Sequence, residues 1–155
     1  MQNDCTDNAL YGVVLVVYCR TTKRFLFLRE LTDKPRVFKI KGMLAFPSET
    51  REGCDTSVRA TITRLIYEEV GVELLGDILL SIEPLTDFMH GIPIYISWVV
   101  VSKEFTATPN DTDVEHGIWL TKSKVVTMND QTDFFRIETL PVLQQVLALG
   151  KSALI

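Results

Sequence analysis

Residues 56–72 constrain the fold of this chain more than any other segment. Apolar side chains recur there at mostly three- to four-residue spacing, which is the period of one helix face. These residues are Val58, Ile62, Leu65, Ile66 and Val70. Thr56 or Ser57 is suited to cap the start, and Gly71 follows the last apolar residue as a helix terminator does. The pattern predicts an amphipathic helix that ends at about Val70 and packs one face against the rest of the chain.

The segments around this helix alternate between strand and helix patterns without a regular βαβ repeat. Strands are predicted at residues 11–19, 25–29, 94–101 and 117–120, and further helices at 122–128 and 140–153. Such a mixture favours an α+β fold, with a mixed sheet flanked by helices. The length of 155 residues fits one domain, which we assign to residues 10–155 after a loose polar leader at 1–9.

Charge is unevenly distributed along the chain. The net charge is -4, yet residues 1–41 hold eight basic and four acidic side chains. This arrangement predicts either two solvated faces or a cationic wall opposite an acidic, metal-binding one. The second arrangement suits a small polyanion such as a pyrophosphate. The overall acidity argues against duplex DNA as a partner.

The cysteines and the apolar runs bear on the compartment. Three cysteines with no C-x-x-C pair argue against a disulfide framework and a zinc site, and favour a reducing, cytoplasmic location. The longest apolar run near the N-terminus, residues 13–18, is far too short to span a membrane.

Candidate chemistry is concentrated at the end of the predicted helix. Arg64 and Glu68 are four residues apart, so they can pair on one helix face. Glu68 and Glu69 are adjacent carboxylates beside a polar loop, and carboxylate oxygens are ligands that Mg²⁺ accepts together with substrate phosphates. A solvated acidic face is the alternative for this pair.

Residues 47–72 resemble a Nudix box, the motif G-x5-E-x7-R-E-U-x-E-E-x-G-U in which U is a bulky apolar residue. The second half matches in register at Arg64, Ile66, Glu68, Glu69, Gly71 and Val72. Residues 42–47 resemble the strand that leads into the box, residues 25–29 resemble an early strand, and residues 115–120 resemble a later one. The resemblance covers about residues 10–125 and implies a Nudix-like α/β/α sandwich.

The first half of the box is degenerate. Leu65 stands where the family has a glutamate, and the first glutamate of the box falls on Thr56, or on Asp55 after a shift of one residue. Glu52 and Gly53 can stand in for the family's acid and glycine if the spacing is relaxed. The acids that could replace the missing carboxylate are Glu49, Glu52, Asp55 and Glu115.

The resemblance implies a Mg²⁺- or Mn²⁺-dependent pyrophosphohydrolase that acts on a nucleoside diphosphate linked to another group. Glu68, Glu69, Arg64 and Glu52 are the candidate catalytic residues, with Arg64 orienting carboxylates. Glu68, Glu69, Asp55 and Glu115 are the candidate metal ligands. Arg29, Lys39 and Lys41 are candidates for binding substrate phosphates, although exposed ion pairs would explain them equally well.

Three further expectations follow from the same resemblance. Because Leu65 replaces a family glutamate, the rival interpretation is a Nudix-fold module that binds nucleotide or RNA without turnover. Dimers are common among similar proteins, which leaves a homodimer as one candidate for the oligomeric state. Specificity is expected in the loops at residues 86–93 and 107–113.

Overall fold

The structure is a computed structural model that describes residues 10–35, 39–53, 55–74, 78–85, 93–129 and 134–149. Within these residues, seven strands form one sheet: β1 (Gly12–Cys19), β2 (Arg24–Glu30), β3 (Leu44–Ala45), β4 (Ser48–Thr50), β5 (Ile78–Leu85), β6 (Ile94–Val101) and β7 (Val114–Thr121). The helices are α1 (Val58–Leu65), continued by a π-helical turn (Ile66–Val70), then α2 (Lys122–Asn129) and α3 (Thr139–Leu149).

Strand β1 is the centre of a mixed sheet. The main order is β3-β2-β1-β6-β5, while β4 also pairs with β1 and β7 also pairs with β2. Strands β1 and β6 run parallel over their whole length, with Val16 opposite Trp98, and the other pairs are antiparallel. The mixed sheet predicted from the sequence is therefore confirmed, and β1 and β2 form an antiparallel hairpin.

Helices cover both faces of the sheet because β1 is apolar on both sides. Val14 and Val16 face the layer that contains α2 and α3, where Leu143 is buried. Leu15 and Val17 face α1 on the opposite side. An almost continuous apolar run is the pattern of a strand that is buried on both faces. The α/β/α sandwich is thus confirmed.

Several predicted boundaries were wrong. The helix reaches Val70 as predicted, but its last five residues are π-helical. Residues 48–50 form strand β4, which was not among the predicted strands, and β7 extends to both sides of the predicted residues 117–120. Helix α3 begins at Thr139 and is described to Leu149. The leader at 1–9, most of the loop at 86–93 and residues 150–155 lie outside the described residues.

No helix among these described segments is long and apolar enough to cross a membrane.

Gly117 gives a test of the sheet's geometry. A Cβ atom at this position would overlap the carbonyl oxygen of Phe27, at the point where the β2–β7 register shifts. We expect Gly117→Ala to lower the free energy of unfolding by about 1–3 kcal/mol or more, because backbone must move to accept the methyl group. Gly12→Ala is the matched control, since its Cβ would meet its neighbours only at 3.8 Å. Chemical denaturation measures both, and equal stabilities of the two variants would contradict the described close approach.

Candidate active site

Helix α1 and the π-helical turn that continues it have a cap at each end. The Ser57 side chain accepts a hydrogen bond from the Ala60 N–H at 3.0 Å, which caps the first turn. At the other end, Gly71 has a φ of 70° and donates its N–H to the Ile66 carbonyl at 2.8 Å. A Cβ on Gly71 would overlap the Thr108 carbonyl, so both the backbone conformation and the close approach require glycine.

The π-helical turn places its two glutamates in different environments. The Glu69 residue is only 5% exposed, whereas the Glu68 side chain is 30% exposed. π-Helical turns inside α-helices occur frequently at functional sites.

A loop after β6 packs onto the end of this turn and donates hydrogen bonds to its carbonyl groups. The Thr108 N–H donates to the Val70 carbonyl at 2.8 Å, and the N–H groups of Asn110 and Asp111 donate to the Glu68 carbonyl at 2.8 and 2.9 Å. The Asn110 side-chain amide donates to the Tyr67 carbonyl at 2.7 Å. Carbonyls at the end of a helix lack intrahelical partners, so the loop satisfies them and brings Asp111 beside Glu68.

Strand β4 approaches the same turn from the other side. The Ser48 N–H donates to Glu69 Oε1 at 3.0 Å, and Glu49 is the next residue. As a result, one carboxylate oxygen from each of Glu49, Glu68 and Asp111 lies within 4.8 Å of the others. We call these three residues the acidic cluster.

Arg64 lies beside this cluster and contacts four carboxylates. Its guanidinium is 2.9 Å from Asp55 and 3.2 Å from Glu52, and it is 3.4 Å from Glu49 and 3.6 Å from Glu68. Its side chain is 20% exposed. A planar guanidinium with five donors suits this arrangement. Arg64 therefore connects the polar loop before α1 with the acidic cluster.

These contacts shift the pKa values of the acids in opposite directions. Burial, reinforced by the nearby charge of Glu68, raises the pKa of Glu49 to about 7 against the opposing effect of Arg64. Burial raises the pKa of Glu69 to about 8, despite the hydrogen bond from Ser48. Burial also acts on Asp55, but hydrogen bonds from Arg64, from the Glu52 N–H and from Thr61 outweigh it and lower the Asp55 pKa.

A cavity of about 240 Å³ opens at the cluster. Its lining includes Glu49, Asp111 and Glu69, an apolar wall from the start of β1, and three cations. Each of these cations is paired: Lys34 with Asp113 at 2.7 Å, Lys39 with Glu30 at 3.1 Å, and Arg136 with Glu138 at 3.3 Å. The cations of the cavity are thus largely neutralised by neighbouring carboxylates.

The sequence-predicted residues are only partly gathered here. Arg64, Glu52, Asp55 and Glu68 lie in one network, and Glu69 and Lys39 line the adjoining cavity. Arg29 and Glu115 lie elsewhere, paired with each other at 3.8 Å between β2 and β7. Lys41 is exposed, and its backbone N–H donates to Asp33 at 2.8 Å.

Leu65 is fully buried between α1 and the sheet, in the same apolar cluster as Leu15 and Val17. The family's glutamate position is therefore part of the core here. Asp55, engaged by Arg64, and Glu49, in the acidic cluster, are two of the four acids that the sequence offered as replacements. The sequence left undecided which of the four acids approaches the cluster.

Asp111, Ser48 and Arg136 were missed as site residues. Asp111 lies in a loop that was expected to affect specificity, but the hydrogen bonds that turn it toward Glu68 join residues more than 40 positions apart. Spacing along the chain gives no signal for such contacts.

Comparisons with known proteins identify the fold. No family model and no curated protein sequence matches the chain. Solved structures do match: a NUDIX hydrolase from Nitrosomonas europaea has a TM-score of 0.61 and 18% identity over 92% of this chain and 88% of that one. The NUDIX domain of Shewanella oneidensis NrtR, crystallised with ADP ribose, has a TM-score of 0.68 and 14% identity over 100% of this chain and 94% of its own.

A third similar structure is the E. coli dihydroneopterin triphosphate pyrophosphohydrolase, with a TM-score of 0.61 and 12% identity over 89% of this chain and 94% of that chain. The chain therefore has the Nudix fold, as its sequence resemblance predicted.

Arg64 gives a second test. We expect Arg64→Lys to lower the free energy of unfolding by about 1–3 kcal/mol, because a single ammonium group cannot serve Asp55, Glu52 and Glu49 together. Arg59→Lys is the matched control on the exposed side of the same helix and should change stability by less than about 0.5 kcal/mol. Equal effects of the two substitutions in urea denaturation would argue against Arg64 as the connecting residue.

Leu65 gives a third test. Restoring the family's acid with Leu65→Glu should destabilise the fold by about 3 kcal/mol or more, because the carboxylate would enter an apolar core. Leu65→Met, which conserves volume and character, should cost less than about 1.5 kcal/mol. Thermal unfolding of both variants measures the difference. A Leu65→Glu variant as stable as wild type would mean that this side chain can turn out of the core.

Proposed function

We propose that this protein is a divalent-cation-dependent pyrophosphohydrolase that cleaves a nucleoside diphosphate linked to another group. The main support for this proposal is that one carboxylate oxygen from each of Glu49, Glu68 and Asp111 lies within 4.8 Å of the others, beside a cavity in a Nudix fold. The similar structures include a pyrophosphohydrolase and a domain bound to ADP ribose, which supports this reaction and substrate class.

The donor set fits Mg²⁺ or Mn²⁺. All three groups are carboxylates, and hard divalent cations prefer oxygen ligands. Glu49 Oε2 is buried without a hydrogen-bond partner among the described residues, which leaves a lone pair for a cation. Glu49, Glu68 and Asp111 would hold the ion, and Asp55 would stay with Arg64. When bound, such an ion neutralises diphosphate charge and lowers the pKa of water.

The protein's own groups would position the reactants around that ion. Arg64 contacts the Glu49 and Glu68 carboxylates and would keep them oriented toward the ion. Glu69 is a buried acid of the cavity, and its Oε1 accepts a hydrogen bond from the Ser48 N–H, so Oε2 is the oxygen that would exchange a proton with water. Lys39 lines the cavity but already faces Glu30, so we assign it a secondary part in phosphate binding. Arg29, Lys41, Glu52 and Glu115 do not line the cavity, and we assign them no direct part in this proposal.

A panel assay tests the reaction. Purified protein with Mg²⁺ or Mn²⁺ is incubated with dinucleotides, nucleotide sugars, ADP-ribose and nucleoside triphosphates, and products are separated by chromatography. At least one substrate should be cleaved, and Glu68→Gln should slow cleavage by about 10²–10⁴-fold because a charged ligand is lost. Glu73→Gln, an exposed acid just beyond Gly71, is the control and should keep the wild-type rate.

If the wild-type protein forms no more product than Glu68→Gln from any substrate in the panel, the enzymatic proposal is rejected.

A second candidate function is a binding module without turnover, and the buried Leu65 favours it. This module would bind ADP-ribose or a related nucleotide with measurable heat in calorimetry while the panel assay gives no product. Product formation would reject it.

Two further proposals concern the compartment and the oligomeric state. Cys19 is buried as a free thiol, and the odd number of cysteines suits a reducing cytoplasm. A homodimer is proposed from the resemblance, and sedimentation would test it.

A further inference from the structure

Arg136 comes from a segment that lies far from the Nudix-box resemblance. The segment at 134–136 joins the sheet at β3: the Leu44 N–H donates to the Phe134 carbonyl at 2.7 Å, and the Arg136 N–H donates to the Leu44 carbonyl at 3.0 Å. The Arg136 carbonyl then accepts from the Thr139 N–H at the start of α3. The backbone on both sides of Arg136 is therefore fixed, and its side chain, 7% exposed, extends into the interior.

The buried guanidinium joins two parts of the chain. Its Nη1 donates to Ser48 Oγ at 3.2 Å, and its Nε lies 3.3 Å from Glu138 Oε2. The first contact spans 88 positions in the sequence. A counterion for Arg136 is already supplied by Glu138, so charge pairing alone does not account for the contact with Ser48. The fixed geometry of a guanidinium lets one group hold both partners at a set separation.

Ser48 transmits this contact to the acidic side of the cavity. Its backbone N–H donates to Glu69 Oε1 at 3.0 Å, and its neighbour Glu49 belongs to the acidic cluster. Strand β4 has three residues, which pair with β1, and Arg64 contacts Glu49 from the side of α1. The contact from Arg136 adds a third attachment, at the Ser48 side chain. The position of Ser48 therefore influences both the Glu69 carboxyl and the separation of Glu49 from Glu68.

We propose that Arg136 is a positioning residue that holds Ser48 and β4 in place, and thereby sets the geometry with which the acidic cluster binds a divalent cation. The inference rests on the proposed function, since it assumes that the cluster binds such a cation. Arg136 acts through Ser48 and is not itself a ligand. Groups that lie behind metal ligands commonly change metal affinity by about 10–100-fold when they are removed.

Mn²⁺ affinity measured on the whole protein tests the proposal. Free Mn²⁺ is quantified by electron paramagnetic resonance at a temperature well below unfolding, and far-UV circular dichroism confirms the fold of every variant. Ser48→Ala removes the Oγ acceptor and keeps the N–H that serves Glu69. Both Ser48→Ala and Arg136→Gln should weaken Mn²⁺ binding by roughly tenfold. The double variant should bind no more weakly than the weaker single variant, because both changes remove the same contact.

Arg24→Gln is the matched control, because Arg24 also pairs with a glutamate, at 3.8 Å from Glu104. Arg24 is the first residue of β2, at the opposite end of that strand from Glu30, the partner of Lys39. Arg24→Gln should leave the Mn²⁺ affinity unchanged. A merely structural role for Arg136 would lower the melting temperature in Arg136→Gln and leave the affinity of the folded protein unchanged, which would overturn the proposal. If Arg136→Gln does not fold, Ser48→Ala decides the question alone: unchanged affinity in that variant rejects the proposal.

The two hypotheses fail in different ways. Wild-type protein that binds no Mn²⁺, and does not differ from Glu68→Gln, would reject the cation site and this inference with it. If the wild-type protein binds Mn²⁺, and Ser48→Ala and Arg136→Gln bind it equally tightly, only the inference about Arg136 is rejected and the cation site stands.

Discussion

The candidate site depends on how the end of the π-helical turn is completed. Its last carbonyls have no partners within the helix, and the loop around Thr108 and Asn110 supplies the missing donors. Gly71 makes this possible, since any side chain there would collide with Thr108. The same hydrogen bonds that terminate the helix bring Asp111 to Glu68. Helix termination and assembly of the acidic cluster are therefore one structural event.

Ion pairs help to explain how so many carboxylates can lie within one small region. Arg64 is shared by four carboxylates, and Lys34, Lys39 and Arg136 each face one more. Pairing compensates part of this charge, but these four cations face seven carboxylates, so negative charge exceeds positive charge in this region. The cavity is consequently a poor site for a bare polyanion, and phosphate binding there would require a cation that accompanies it.

The sequence predicted the parts of the site that depend on local pattern. The apolar spacing from Val58 to Val70 and the position of Gly71 were sufficient to locate α1 and its end, and the i,i+4 spacing was sufficient to pair Arg64 with Glu68. Glu69 could not be distinguished from Glu68, because the π-helical turn and the approach of β4 determine which of them is buried. Leu65 was identified as a departure, but only the packing shows that it is a core residue. Asp111 and Arg136 depend on long-range contacts that have no local signature.

The contact between Arg136 and Ser48 also bears on the order in which the molecule can form. The β1–β2 hairpin and helix α1 lie in the first half of the chain, whereas Arg136 lies between α2 and α3. Contacts between distant positions require closure of a long loop before they stabilise anything, so they tend to form late. During synthesis from the N-terminus, the N-terminal hairpin and α1 can assemble before the C-terminal segment emerges. The geometry of the candidate site would then be completed only when the segment that carries Arg136 is available.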